Sequence, residues 1–149
     1  MTTIRDALAG VSRLGVDTAP VIYFIEGNPH FDDTVRSVFE HFGQANLTDI
    51  TSVITLAEVL VQTHARQDKH LQDHYREILL RSNDFQTLPI DPAAADRAAE
   101  WRARYHLRLP DALQLAVALN AGCEAFLTND RVFQHVTDLR VLILADLST

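Results

Sequence analysis

Short apolar runs rich in β-branched residues alternate along this chain with stretches whose apolar positions recur every three or four residues. That alternation is the pattern of an α/β domain built around a mostly parallel sheet. Residues 13–16 (RLGV) read as a first strand. Residues 21–25 (VIYFI) fit either state on pattern alone, but Pro20 ahead of them and Gly27 behind favour a short helix. A helix over 32–42 places Val35, Val38, Phe39 and Phe42 on one face, with Asp32 or Asp33 as cap and Gly43 as stop. A strand is expected over 48–54. It is followed by a helix from Thr55 with Leu56, Val59, Leu60 and Thr63 aligned, and by another over 68–81 that buries Leu71, Tyr75, Ile78 and Leu79.

A strand over 85–90 ends near Pro89, and a helix over 92–105 carries Trp101 and Tyr105 one turn apart. Pro110 opens a helix that is apolar almost all round and closes at Gly122, the signature of a helix deep in the packing. A strand at 125–128, a turn of helix from 131 and a strand at 139–145 complete the chain. No repeat, low-complexity tract or linker divides it, so the 149 residues read as one domain.

Composition narrows the class. An apolar share of 47% with 22% charged residues supports a buried core and excludes a disordered chain. A lone cysteine, Cys123, forms no intrachain bridge and reads as a small buried apolar residue. The first residues, with Arg5, Asp6 and Arg13, lack the apolar run of a signal peptide, and no window has the roughly 18 apolar residues that span a bilayer. A soluble cytoplasmic protein with no membrane partner is expected. Acids outnumber bases 20 to 13, a net charge of −7, which argues against holding nucleic acid by bulk electrostatics.

Where those acids fall changes the picture. Asp17 follows the first strand, Glu58 stands one helical turn after the strand at 48–54, Asp130 follows the strand at 125–128, and Asp111 opens the buried helix. The carboxyl ends of parallel strands share one edge, and ligands of open α/β sheets bind outside it. Four converging carboxylates repel one another and call for a counter-charge. An all-oxygen set without Cys or His selects a hard divalent ion, Mg²⁺ or Mn²⁺, which suits hydrolysis of a phosphodiester. Each acid also has a structural reading. Thr55 and Glu58 have the spacing of a capping box, Asp111 is a first-turn acid, and Asp130 is an N-cap. Asp17, between apolar segments, has no obvious solvated role.

Four strings carry a family resemblance: Val16-Asp17-Thr18, the run SVITLAE over 52–58, LPDALQLA over 109–116 and FLTNDRVF over 126–133. Together they resemble the motifs of PIN-domain ribonucleases, whose compact bacterial members are the VapC-type toxins of toxin–antitoxin pairs. The resemblance runs from about residue 13 to the end. It implies a single PIN-like α/β domain acting as a Mg²⁺- or Mn²⁺-dependent endoribonuclease. Asp17, Glu58, Asp111 and Asp130 would be its acidic quartet, with Thr128 and Asn129 orienting them. It further implies a homodimer silenced by a small antitoxin protein. One position departs from the pattern: Ala19 stands where the family usually has Asn or Ser.

Other chemistry is less well supplied. A dehalogenase-type phosphatase needs a second Asp where Ala19 stands, and a phospho-acceptor domain needs a nearby lysine, whereas the one lysine, Lys69, lies in a polar helix. His70 and His74 have metal-capable spacing without a third ligand and read as solvated. Arg97, Arg102, Arg104 and Arg108 precede Asp111 within a dozen positions. Arg104 and Arg108 are the candidate phosphate contacts, a solvated face paired with Asp96 and Glu100 being the alternative. His106 could touch RNA, and Trp101 and Tyr105 read as packing residues more readily than as base-stacking ones. Two further readings stay open: a PIN nuclease of RNA processing that is no toxin, and a PIN-fold binding module without catalysis.

Overall fold

The structure, a computed structural model, describes residues 1–44 and 47–149, the side chains of Phe42 and Gln44 excepted. Five parallel strands form the central sheet: β2 (Arg13–Val16), β3 (Thr48–Ser52), β4 (Gln86–Leu88), β5 (Ala125–Thr128) and β6 (Arg140–Ile143), in the order β4-β3-β2-β5-β6. Helices cover both faces, as crossovers between parallel strands require. They are α2 (Thr18–Glu26), α3 (Asp32–Gln44), α4 (Val53–Ala65), α5 (Lys69–Arg76), α6 (Pro92–Tyr105) and α7 (Leu109–Asn120). A small parallel pair, β1 (Thr2–Thr3) with β7 (Leu147–Ser148), joins the two ends of the chain beside α1 (Ile4–Ala7), and no sequence pattern announced it. Among the described residues, no helix is long and apolar enough to cross a membrane.

The two faces of the sheet carry separate cores. Leu14, Val16, Ala125 and Leu127 pack with Val21, Val35, Val38 and Val59 of the α2–α5 layer and with Leu79 just after α5. Ile50 and Phe126 pack with Ala98, Trp101, Leu115 and Ala116 of α6 and α7. Gly15 points to the second face. A Cβ there would stand 2.7 Å from Ala118 Cβ and 2.9 Å from a Phe126 ring carbon, so glycine lets α7 lie directly on β2.

Several expected boundaries move, each for a local reason. β3 ends at Ser52, two residues before the expected position, because the Ser52 hydroxyl accepts from the Ile54 amide at 3.1 Å and caps α4. The Thr55–Glu58 capping box is therefore not made. The helix over 68–81 is capped by Asp68 and becomes a π turn over Glu77–Arg81. β4 and β6 are shorter than expected, Gln86–Leu88 and Arg140–Ile143, the latter running into a 3₁₀ turn, Leu144–Asp146. The short helix expected around 21–25 is α2, with Gly27 after it at φ 78°. The side chain of Phe42, expected on the apolar face of α3, lies outside the described residues.

Candidate active site

All five central strands point their carboxyl ends to one edge, and the four expected acids line a single open groove of about 400 Å³ there. Each is delivered by a different segment. Asp17 follows β2 and caps α2, its Oδ1 accepting from the Thr18 amide at 2.9 Å. Glu58 sits one turn into α4, half-buried. Asp111 is buried in the first turn of α7. Asp130, after β5, is exposed and caps the 3₁₀ turn Arg131–His135, its Oδ1 accepting from the Val132 amide at 3.0 Å.

Thr128 ties the two ends of this set together. Its hydroxyl donates to Asp17 Oδ2 at 2.7 Å and accepts from the Asp130 amide at 3.1 Å. Asn129 also lines the groove, but its side-chain oxygen accepts from the Ala145 amide at 3.1 Å. It therefore braces the loop after β5 against the turn after β6 and orients no acid directly. Ala19 lines the groove without a polar group, and Asp17 is held by Thr18 and Thr128 in its place.

Beneath the acids lies a buried polar network that sequence reasoning did not find. Thr18 and Thr55 hydroxyls are 3.0 Å apart, and Thr51 Oγ1 lies 2.9 Å from Thr55 Oγ1 and donates to the Val16 carbonyl at 3.0 Å. Gln114 of α7 donates to Thr55 and accepts from Ser52. The network joins the starts of α2 and α4 to α7, the three helices that carry Asp17, Glu58 and Asp111. Satisfied networks of this kind rigidify their surroundings. The signal in the sequence was a cluster of Thr, Ser and Gln at positions that face the core.

The electrostatics show that the acids sense one another. Burial pushes the Asp17 carboxyl up to about 6; the bonds from Thr128 and Thr18 oppose the rise, and the charges of Asp111 and Glu58 add to it. Arg108 supplies a counter-charge from the rim. It donates to Asp111 from Nε at 3.1 Å and from Nη2 at 3.4 Å, with 76% of its side chain exposed against 11% for Asp111. The bond to Asp111, with the charges of Glu58 and Asp130, raises the guanidinium pKa. Arg131, not anticipated from the sequence, also lines the groove and pairs with Asp146 at 2.9 Å.

The other expected contacts fall elsewhere. Arg104 does not line the groove; its guanidinium lies 5.0 Å from the Tyr105 ring centroid. Arg97 bonds Asn120 and stacks on Trp101, and Arg102 bonds the Leu107 carbonyl, so the pairing with Asp96 and Glu100 is not formed. Trp101 is buried, Tyr105 donates to Asp138, and His70, His74 and His106 are exposed outside the groove. Cys123 is buried, its thiol pushed up to about 12 by burial.

The donor set fits a hard divalent cation, being four carboxylates with no sulfur or imidazole. Among the described residues, no three acidic, histidine or cysteine side chains already close on one point.

Comparison with curated protein sequences finds no match. Solved structures do match over most of the chain. The VapBC2 complex of Rickettsia felis bound to a promoter DNA fragment superposes with a TM-score of 0.72 at 18% identity, covering 88% of this chain and 98% of that one. A toxin–antitoxin complex from Klebsiella pneumoniae gives 0.70 at 25% identity over 89% and 98%. The Mycobacterium tuberculosis toxin VapC20, which cleaves the sarcin–ricin loop, gives 0.65 at 18% identity over 87% and 99%. The sequence profile of the PIN domain matches residues 15–139, which take in the end of β2, all of β3, β4 and β5, and all four acids. The chain belongs to the PIN domain family and has the fold of the VapC toxins.

Proposed function

We propose that this protein is a Mg²⁺- or Mn²⁺-dependent endoribonuclease and the toxin of a type II toxin–antitoxin pair. The observation that carries the reading is the groove itself: Asp17, Glu58, Asp111 and Asp130, from four separate segments, with Arg108 and Arg131 at its rim. The four acids would hold the divalent ion. When bound, such an ion neutralises their repulsion, activates water and steadies the charge of a phosphoryl transition state. Arg108 and Arg131 would meet the phosphates of an RNA strand. Thr128 holds the Asp17 carboxylate through its hydroxyl.

The antitoxin partner is supported by the toxin–antitoxin complexes among the structural neighbours, and the homodimer by the family resemblance. The purified protein should cut RNA in Mg²⁺ or Mn²⁺, fall silent in EDTA and recover on adding metal. Asp17→Asn and Asp111→Asn should abolish cleavage while leaving the urea unfolding transition cooperative. Wild-type rates in either variant, or cleavage indifferent to chelation, would refute the assignment. Sedimentation of the purified chain tests the dimer.

A further inference from the structure

At the opposite, amino-terminal end of the sheet, β3 carries a second buried acid that the groove does not use. Asp49 is 8% exposed, and among the described residues its Oδ1 has no hydrogen-bond partner. Its strand neighbour in register is Leu14, so it lies on the face covered by the α2–α5 layer. A buried carboxyl oxygen without a partner is costly whether the group is charged or neutral, because either form leaves a polar atom unsatisfied away from water. Such a group calls for an explanation.

Asp49 lines a pocket of about 190 Å³, below the roughly 300 Å³ at which pockets for drug-sized ligands begin. Phe24, Phe39 and Phe85 wall it, and Glu40 and Asp84 stand at its exposed margin. Phe39 meets Phe24 edge-on at 4.8 Å and Phe85 at 5.4 Å between centroids, which fixes the rings. An inorganic divalent ion needs oxygen ligands or room for its waters, and phenyl walls supply neither. Aromatic walls with acids around them suit a cation on an apolar stem, its stem against the rings and its charge on the carboxylate.

We propose that this pocket binds an alkylguanidinium or alkylammonium group, with Asp49 as its buried counter-ion. Two sources offer that chemistry, the tip of an arginine or lysine on a bound protein chain and a free organic amine. Burial, with the charge of Asp84 added, holds Asp49 protonated up to about pH 8. A bound cation would draw that proton off, so affinity rises with pH toward 8. Glu40 and Asp84, the other titratable groups lining the pocket, favour the cation when ionised.

The test uses the whole protein with n-butylguanidinium followed by amide NMR. Saturable shifts confined to residues around Asp49 and Phe85 are expected, and Asp49→Asn, an isosteric change, should weaken binding about tenfold or more. Asp84→Asn, an exposed change, should weaken it a few-fold and guards against a folding defect in the first variant. A peptide with a single arginine forms the second arm. Tighter binding than butylguanidinium points to a protein side chain and equal binding to a free amine, provided Asp49→Asn abolishes the gain. Absence of saturable binding, unchanged affinity in Asp49→Asn, or shifts centred on Asp17 would overturn the proposal.

Discussion

Gly15→Ala tests the idea that the close seat of α7 on β2 sets the acidic groove. The added methyl would meet Ala118 Cβ at 2.7 Å and Phe126 at 2.9 Å, where carbon contacts normally rest at about 3.5–4.0 Å. Helix and strand must part by about 1 Å, since neither neighbour is a flexible side-chain end. Overpacking of this kind costs about 1–3 kcal/mol, or roughly 2–12 °C in melting temperature for a chain of this length. The same displacement acts on the site, because Asp17 lies two residues beyond Gly15 and Asp111 two turns before Ala118. Urea unfolding should show the stability loss, and the metal-dependent cleavage rate should fall further than that loss explains. Gly15→Ala with Ala118→Gly removes the main clash and should restore much of the activity while keeping the helix-propensity cost of about 1 kcal/mol. A single variant as stable and active as the wild type, or a double variant less active than the single, would refute the reasoning.

Stability should fall as pH rises from about 4 to 8. Asp49 is raised from 3.8 to about 8 in the fold, so over that window the native state keeps a proton that the unfolded state has lost. Asp49→Asn should flatten the profile and be more stable than wild type at pH 8 by about 2–5 kcal/mol, read by urea unfolding across pH. Thr128→Val removes the 2.7 Å bond to Asp17, and the metal-free carboxyl titration followed by NMR should rise above about 6 by roughly one to two pH units; an unmoved titration would show the bond to be idle. Arg108→Ala should change the two ligands in opposite senses. Metal affinity, read as a Mn²⁺-dependent thermal shift, should hold or tighten by about fivefold at most because Asp111 is freed, while RNA binding should weaken; a loss of both would make Arg108 structural.

The acids and the fold class could be read from the sequence because each rests on a local signal: a carboxylate after a β-branched run, or a helix period with its breaker. What escaped depends on competition between equivalent local choices. Ser52 and Thr55 are both good caps, and only the core decides between them: Ser52 takes the Ile54 amide while Thr55 is drawn into hydrogen bonds with Thr18, Thr51 and Gln114. Arg104 and Arg108 looked alike along the chain. His106 separates them, ending α6 in the left-handed region at φ 58° and redirecting the chain, so that Arg108 reaches Asp111 and Arg104 stays beside Tyr105. Asp49 gave no signal because an acid at the start of a strand normally reaches solvent, whereas here Phe24 of α2, Phe39 of α3 and Phe85 stand around it.

The distribution of charge answers the objection that an acidic protein should not hold nucleic acid. Setting aside Asp17, Glu58, Asp111 and Asp130 leaves 16 acids against 13 bases, a nearly balanced remainder. The repulsion is therefore concentrated in the groove, where Arg108 already offsets part of it and a divalent ion would offset more. Affinity for a polyanion on such a surface cannot come from long-range attraction, which needs a basic field. On the proposed function it would come from the few cations at the groove, so that substrate binding and metal occupancy would be coupled through the same carboxylates. Asp111 sits at that junction, since whatever neutralises it decides whether Arg108 is spent inside the protein or turned outward to a phosphate.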